Sequence, residues 1–279
     1  MKQRIITAII ILLVAVPTVL FSEYIIYPIV LSLLAMRAVF ELLRVIGAER
    51  KLFIGIPAYI LAAAFPLGAY FVTETTVITY LLLLAASLFV YMLLLMGISV
   101  FSKGSTPFSK ISEIFTAITY IIVSFSSLSL TRYLDRSIGL YIVILVFVAS
   151  WMCDAGAYLV GSVCGKHKLI PEISPKKTVE GAVGGVIIAT AAFLLYGFII
   201  DSFFGVGVNY LRLAVFGVLL SIVSQLGDLV ASLIKREYGV KDYGRIFPGH
   251  GGVMDRFDSI FAVSTILMML SIVLPPFTL

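Results

Sequence analysis

The feature that most constrains this chain is a series of long apolar segments, separated by short polar ones, along its whole length. They lie at 5–21, 24–43, 52–71, 77–101, 114–130, 139–163, 181–200, 211–234 and 257–277. A helix needs roughly 20 apolar residues to cross a bilayer, and only 13% of all residues are charged. The sequence therefore predicts an all-α, polytopic transmembrane protein with about nine spans, in a single integral membrane domain over 1–279.

The distribution of Lys and Arg predicts the orientation of these spans, because basic residues concentrate in cytoplasmic loops. With a cytoplasmic N-terminus, 16 of the 20 Lys and Arg fall in inner segments. The exceptions are Arg132, Arg136 and Arg212 in outer loops, and Arg37 within a span. The net charge of +5 thus describes the inner face, where anionic lipids and nucleotide phosphates are the expected partners rather than nucleic acid.

The two parts of the chain differ in content. Spans before residue 139 are almost uniformly apolar, apart from Arg37 and Glu41, which are spaced to neutralise each other as an i, i+4 pair. A role for Arg37 in binding a lipid head group is the alternative. The first segment follows Lys2 and Arg4 like a secretion signal, but no small-x-small cleavage site follows it, so we expect a retained helix. Candidate functional residues concentrate in 139–279.

The eighth apolar segment carries a polar stripe on one helix face, since residues advance by 100° each along a helix. Its members are Ser221, Ser224, Gln225, Asp228, Ser232 and Lys235. A carboxylate at membrane depth is costly and normally faces a wet cavity or a partner. Asp228 is therefore a candidate ligand, although a packing seam with Asp228 paired to a Lys or Arg would give the same stripe.

A glycine-rich loop at 236–254 leads into the last segment. Such a loop can bring backbone N–H groups close to phosphates. Asp255 and Asp258 follow it, three residues apart and on one helix face. Together with Asp228 they offer an oxygen-rich set suited to Mg²⁺. In isolation the two aspartates would only complement a helix dipole, but here many basic residues surround them in sequence.

A second candidate segment lies at 165–180 and combines lysines with a hydroxyl at the start of a helix, which suits a nucleotide triphosphate. An inner loop that merely follows the charge bias is the alternative. Before it, Asp154, Tyr158 and Gly161 share a face, so Asp154 is a further candidate for the same cavity. Ala157, Gly161 and Gly165 form a small-x-x-x-small row for close helix packing.

The pattern at 232–258 resembles that of the phosphatidate cytidylyltransferases, the CDP-diacylglycerol synthases. It reads Ser232-x-Ile234-Lys235-Arg236-x4-Lys241-Asp242-x-Gly244-x2-Phe247-Pro248-x-His250-Gly251-Gly252-Val253-x-Asp255-Arg256-Phe257-Asp258. The segments Ser174-Pro175-Lys176-Lys177-Thr178-x-Glu180-Gly181 and Asp154-x-Gly156-Ala157-Tyr158 are also similar to this family.

The resemblance implies that CTP and phosphatidic acid react, with Mg²⁺, to give CDP-diacylglycerol and pyrophosphate for phospholipid biosynthesis. It implies metal binding by Asp228, Asp255 and Asp258. It implies contacts of Lys235, Arg236, Lys241, His250 and Arg256 with phosphates, and an orienting or metal-shell role for Asp242. The residues expected to bind substrate are Ser174, Lys176, Lys177, Thr178, Glu180, Ser232, Gly251 and Gly252. A homodimer, a second cation such as K⁺, and a plasma-membrane location with a cytoplasmic active site are also expected.

Three other functions fit part of the pattern. A CTP-using polyprenol kinase, or a cytidylyltransferase for another lipid phosphate, would use the same carboxylates. A transporter with Asp154 and Asp228 on an ion path would not need His250, Gly251 and Gly252, and no two-fold repeat is visible. The motif of the CDP-alcohol phosphatidyltransferases is not found in the sequence.

Overall fold

The computed structural model describes residues 2–103 and 105–278. Met1 and Leu279, the ends of the predicted domain, lie outside the described residues, as do the side chains of Lys2 and Arg4. Within the described chain there are nine α-helices, one for each predicted apolar segment. They are α1 (Lys2–Leu20), α2 (Ile26–Ile46), α3 (Leu52–Gly68), α4 (Val77–Phe101), α5 (Phe108–Tyr133), α6 (Gly139–Cys164), α7 (Val179–Phe204), α8 (Tyr210–Glu237) and α9 (Met254–Val273).

Seven of these helices, α3 to α9, are long and apolar enough by length and composition to cross a membrane. Helix α1 offers a shorter apolar stretch, Ile9–Leu20, and α2 carries Arg37, Glu41 and Arg44 in its second half. The all-α membrane fold is thus confirmed, whereas nine spans and a cytoplasmic N-terminus stay predictions.

The exposure of side chains is the reverse of that in a water-soluble protein. Phe53, Phe101 and Val163 are 82%, 87% and 84% exposed, whereas Ser127 and Arg132 on α5 are buried. Large apolar surfaces of this kind are rare on soluble monomers and indicate contact with lipid. The chain is therefore an integral membrane protein.

The chain forms two compact units that are discontinuous in sequence. The first unit comprises α1 to α5 together with Asp242–Asp255, and the second comprises Asp135–Lys241 and the chain from Arg256 onward. The segment 242–255, which we call the motif loop, is therefore packed with the N-terminal helices although it follows α8 in sequence. A single membrane domain stays a prediction.

In the first unit, side chains satisfy the backbone around the proline-containing helix α3. Pro57 and Pro66 lie inside this helix. The carbonyl oxygens of Ala63, Phe65 and Pro66 accept hydrogen bonds from the hydroxyls of Ser32, Tyr80 and Ser129, respectively, at 2.7–2.8 Å. Proline is tolerated in membrane helices when neighbouring helices satisfy exposed carbonyls in this way, which explains buried hydroxyls on α2 and α5.

In the second unit, glycines allow α6 and α7 to pack closely. A Cβ added to Gly156 would lie 2.9 Å from the Ile188 Cβ, and one added to Gly185 would lie 2.8 Å from the Cys153 carbonyl oxygen. A Cβ on Gly161 would meet the Thr178 hydroxyl at 3.0 Å. A Cβ added to Gly181 on α7 would lie 3.1 Å from the Gly161 Cα, so the close helix packing predicted for the small-residue row of α6 is confirmed at Gly161.

Two short antiparallel sheets connect the helices of the second unit. Strands β1 (Lys168–Ile170) and β2 (Ser174–Thr178) form a hairpin between α6 and α7. Strands β3 (Gly207–Val208) and β4 (Phe277–Thr278) pair the α7–α8 connection with the C-terminal residues. The sequence reading had only a loop at 165–180, because strands this short show no apolar alternation.

Candidate active site

Acidic and basic side chains of the second unit act on one another electrostatically. The members of this charged cluster are Asp154 on α6, Lys177 on β2, Asp228 and Lys235 on α8, and Arg256 and Asp258 on α9. The charges of Asp228, Asp154 and Lys235 act on the Asp258 carboxylate. Those of Asp228, Lys177 and Arg256 act on Asp154. The structure therefore brings five of the predicted site residues together and adds Asp154.

Asp228 has a cationic partner in this cluster. Its Oδ2 forms an ion pair with Lys177 Nζ, and both side chains are 26% exposed. The pairing of Asp228 with a lysine, one of the two alternatives for the polar stripe, is thus observed. This ion pair does not exclude the alternative that Asp228 is a ligand, because a partly exposed lysine can exchange its carboxylate partner for a phosphate.

Gly227 brings α9 against α8 beside this ion pair. A Cβ on Gly227 would lie 2.7 Å from the Asp258 carbonyl oxygen and 3.2 Å from the Ala262 Cβ. A real side chain at this position would force the two helices apart. The absence of a side chain at Gly227 therefore allows the helix segments that carry Asp228 and Asp258 to lie in direct contact.

A cleft of about 360 Å³ adjoins the cluster. Asp154, Tyr158, Lys176, Lys177 and Gln225 are among its lining residues. This volume lies within the range of about 300–1,000 Å³ that is typical of small-molecule sites. The cleft thus combines apolar walls with a carboxylate, two ammonium groups and an amide.

The amide of Gln225 is held in place by its neighbours. Its Nε2 donates to the Ala182 carbonyl oxygen at 3.1 Å and lies 3.4 Å from Cys153 Sγ. The thiol of Cys153 in turn donates to the Ser221 carbonyl oxygen. Cys153 is thus a packing residue between α6 and α8.

Several residues predicted to bind substrate have structural partners around the β1–β2 hairpin. The Thr178 hydroxyl accepts the Gly181 N–H at 3.2 Å and caps helix α7. Glu180 accepts the backbone N–H groups of Lys166 and His167, and its Oε1 lies 2.6 Å from His167 Nδ1. Substrate contacts for Thr178 and Glu180 therefore stay predictions beside an observed local role.

Other predicted residues of this region are more open. Lys176 is exposed at the cleft, and Ser174 pairs with Ile170 in the hairpin. The Arg236 Nε donates to the Ile173 carbonyl oxygen at 3.3 Å and thereby ties the end of α8 to the hairpin. Lys241 is exposed, and Ser232 is half-buried on α8.

The motif loop of the first unit folds around the carboxylate of Asp255. One oxygen, Oδ2, accepts the N–H groups of Tyr243 at 2.8 Å and Gly252 at 2.9 Å. Gly251 has a φ of +82°, and a Cβ there would lie 2.6 Å from the same oxygen. These glycines thus fit a carboxylate of the protein itself, and their binding of substrate stays a prediction.

The remaining predicted residues of the motif loop have different environments. Asp242 is exposed, whereas His250 is half-buried. The Nδ1 of His250 is buried and has no hydrogen-bond partner within the described part of the chain. Helix α1 contacts the middle of the motif loop, where the Thr7 hydroxyl donates to the Pro248 carbonyl oxygen at 3.0 Å.

The donor set suits a hard divalent cation. Among the described residues, no three acidic, histidine or cysteine side chains already form a metal site. Mg²⁺ needs less than that, because it is commonly held by one or two carboxylates, water and substrate phosphates. Asp228 and Asp258 meet this requirement within the charged cluster. Metal binding by Asp228, Asp255 and Asp258 stays a prediction.

The sequence identified Asp154 as a candidate for the cavity, but it gave no sign of one contact in the first unit. Glu41, interpreted only as the neighbour of Arg37, also accepts the Met254 N–H at 3.1 Å. Its contact across 213 residues leaves no local pattern in the sequence.

These features define a class of membrane-embedded helical proteins that place carboxylates and cationic side chains beside a cleft with apolar walls. The chain belongs to the Cytidylyltransferase family, whose model matches residues 2–274. A phosphatidate cytidylyltransferase of Staphylococcus epidermidis is 36% identical over 277 residues, which cover 98% of this chain and 99% of the relative.

Two further relatives carry the same name. One, from Staphylococcus aureus, is 36% identical over 275 residues, covering 98% of this chain and 99% of the relative. The other, from Staphylococcus haemolyticus, is 40% identical over 186 residues, covering 67% of this chain and 68% of the relative. The family resemblance read from the motifs is thus confirmed.

Proposed function

We propose that this chain transfers CMP from CTP to phosphatidic acid and so forms CDP-diacylglycerol and pyrophosphate in the membrane. The observation that carries the proposal is similarity over 98% of the chain to relatives named phosphatidate cytidylyltransferase. The carboxylates and cations of the charged cluster, with the adjoining cleft, support the proposal.

A phosphate oxygen of phosphatidic acid attacks the α-phosphorus of CTP. The bond from this phosphorus to the oxygen that bridges to the β-phosphate breaks, and pyrophosphate leaves with that oxygen. The attacking group is already an anion, so no protein nucleophile is required. Instead, two anions are brought together while charge grows on the leaving group, which fixed cations stabilise. Lys177, Lys235 and Arg256 are the cations of the cluster suited to this task.

Mg²⁺ is the proposed cofactor, with Asp228 and Asp258 holding it from α8 and α9. When bound, it would neutralise phosphate charge and orient the triphosphate. Asp255, the third predicted ligand, has one oxygen engaged with two backbone N–H groups. A second cation such as K⁺ is proposed because the cluster holds more carboxylates than one Mg²⁺ requires.

The proposed site faces the cytoplasm of a bacterial plasma membrane. The support is the charge distribution, since 16 of the 20 Lys and Arg lie in inner segments if nine spans begin with a cytoplasmic N-terminus. CTP would then enter from the cytoplasm and phosphatidic acid from the inner leaflet. A homodimer is proposed from the family resemblance alone.

The direct test is pyrophosphate release by the purified protein in detergent, supplied with CTP, Mg²⁺ and phosphatidic acid, with each omitted in turn. Release that needs all three components, with a CDP-lipid product, is the expected result. Release of CDP with a polyprenol acceptor would instead identify a kinase. A folded protein that produces neither would contradict the proposal.

A further inference from the structure

Glu41 joins a membrane helix to the motif loop within the first unit. Its side chain lies on α2 and is fully buried. Oε2 accepts the Met254 N–H at 3.1 Å, and Oε1 accepts a hydrogen bond from Arg37 Nε, also at 3.1 Å. The guanidinium of Arg37 also stacks on Phe40, 4.9 Å from the ring centre. The carboxylate is therefore held on one side by its own helix and bound on the other to the first residue of α9.

The motif loop is shaped to receive this carboxylate. A Cβ on Gly244 or Gly252 would overlap the carboxylate of Glu41. Gly252 also donates its N–H to Asp255 at 2.9 Å. Two of the loop's glycines are thus explained by the close approach of Glu41, because only a residue without a side chain leaves room for it.

An exposed ion pair does not need this arrangement. Lys110 and Glu113 on α5 form an ion pair at 3.2 Å, with Glu113 40% exposed. A fully buried carboxylate loses its hydration, a cost that is offset only when it is paired and hydrogen-bonded. The Met254 N–H of the motif loop replaces a hydrogen bond that Glu41 would otherwise make to water. The loop conformation and the buried charge therefore depend on each other.

We propose that Glu41 is a positioning residue: with Arg37, it holds the motif loop and the start of α9 in the conformation that catalysis requires. The effect on turnover rests on the proposed function, whereas the effect on loop conformation does not. The residues that Glu41 positions include His250 and Asp255, both in the motif loop. It touches no substrate itself.

The test compares Glu41→Gln, Glu41→Ala and Arg37→Met by hydrogen exchange and by pyrophosphate release per folded molecule. Glutamine keeps an oxygen for the Met254 N–H, whereas alanine removes it. We therefore expect faster exchange in the motif loop and kcat falling about tenfold or more in Glu41→Ala, with a smaller loss in Glu41→Gln. The KM for phosphatidic acid should stay within about twofold, since substrate binding would be little altered.

A double variant that removes both charges distinguishes a positioning role of Glu41 from a role in stability alone. Arg37→Met leaves a buried carboxylate unpaired, so Arg37→Met/Glu41→Gln should recover part of the activity lost in Arg37→Met. Glu113→Gln, the same change at an exposed pair on α5, is the matched control and should change neither exchange nor kcat.

Unchanged loop exchange in Glu41→Ala would overturn the proposal, as would faster exchange at full kcat. A uniform increase in exchange across α3 to α5, with normal turnover per folded molecule, would assign Glu41 to stability alone and also overturn it. If the wild-type protein released no pyrophosphate, the proposed function would fail while the exchange measurement still tested the contact.

Discussion

The carboxylates of the two units are satisfied in different ways. In the first unit, Glu41 and Asp255 are buried; Glu41 accepts one backbone N–H group and Asp255 accepts two. In the second, Asp228 and Asp258 are partly exposed and lie among lysine and arginine side chains. A backbone amide cannot leave without unfolding the loop, whereas a lysine can rotate away. The first kind of carboxylate therefore maintains a conformation, and the second is available to a metal ion or a phosphate.

The largest loss of activity is expected from changes to the partly exposed aspartates of the second unit. Asp258→Asn and Asp228→Asn should each lower pyrophosphate release by about 100-fold or more, because either change removes a carboxylate that is proposed to hold Mg²⁺. Thermal unfolding in detergent should change little, since both side chains are partly exposed. Turnover equal to the wild type in a folded variant would remove that aspartate from the site.

A change at Asp255 tests most directly whether the buried carboxylates differ in role from the partly exposed ones. The sequence grouped Asp255 with Asp228 and Asp258 as metal ligands. We expect Asp255→Asn to lower kcat by about tenfold and to speed hydrogen exchange in the motif loop. The Mg²⁺ concentration for half-maximal activity should stay unchanged, unlike that of Asp258→Asn. A rise in this concentration with normal loop exchange would instead make Asp255 a metal ligand.

A smaller effect should follow from separating α8 and α9. Gly227→Ala places a methyl group against the Asp258 carbonyl oxygen, and overpacking of this kind typically costs about 1–3 kcal/mol. We expect activity to fall about tenfold, because small displacements of catalytic groups are costly. Gly97→Ala is the control, since a Cβ there meets nothing within 4 Å. Equal activity in both variants would show that this helix contact is dispensable.

The smallest effect is expected at Glu180. Its carboxylate closes the hairpin through His167 and two backbone N–H groups at an exposed position. Glu180→Gln keeps one oxygen for these donors, so kcat and the KM for CTP should stay within about threefold of the wild type. A large rise in the KM for CTP alone would restore Glu180 to the predicted substrate-binding set.

The sequence predicted each helix because nine apolar segments can satisfy their backbone in a bilayer only as helices. Asp228 was predictable for a related reason, because a carboxylate at membrane depth is costly unless it has a function. Asp258 was found through its spacing to Asp255, and the roles of Lys235 and Arg256 came from the family resemblance. Lys177 was found through its place before a helix, and Asp154 through the face that it shares with Tyr158 and through the family-like segment at 154–158.

The sequence did not predict which carboxylates accept backbone N–H groups and which lie among basic side chains. Asp255 and Asp258 are three residues apart and look equivalent in the sequence, yet Asp255 accepts the amides of Tyr243 and Gly252. Gly244 and Gly252 belong to a loop that the sequence predicts to approach phosphates, and the structure shows in addition that they leave room for Glu41. Such contacts depend on which distant segment packs against the loop, and that information is tertiary.

The contact between Glu41 and Met254 also constrains the order in which the protein can be assembled. The two residues are 213 positions apart, so α2 is synthesised long before the amide that its carboxylate needs. During that interval Glu41 has only Arg37 and whatever water reaches it. The N-terminal helices therefore cannot complete their own packing as they leave the ribosome. A chain truncated before the motif loop would therefore leave the Glu41 carboxylate without the Met254 N–H that it accepts in the complete first unit.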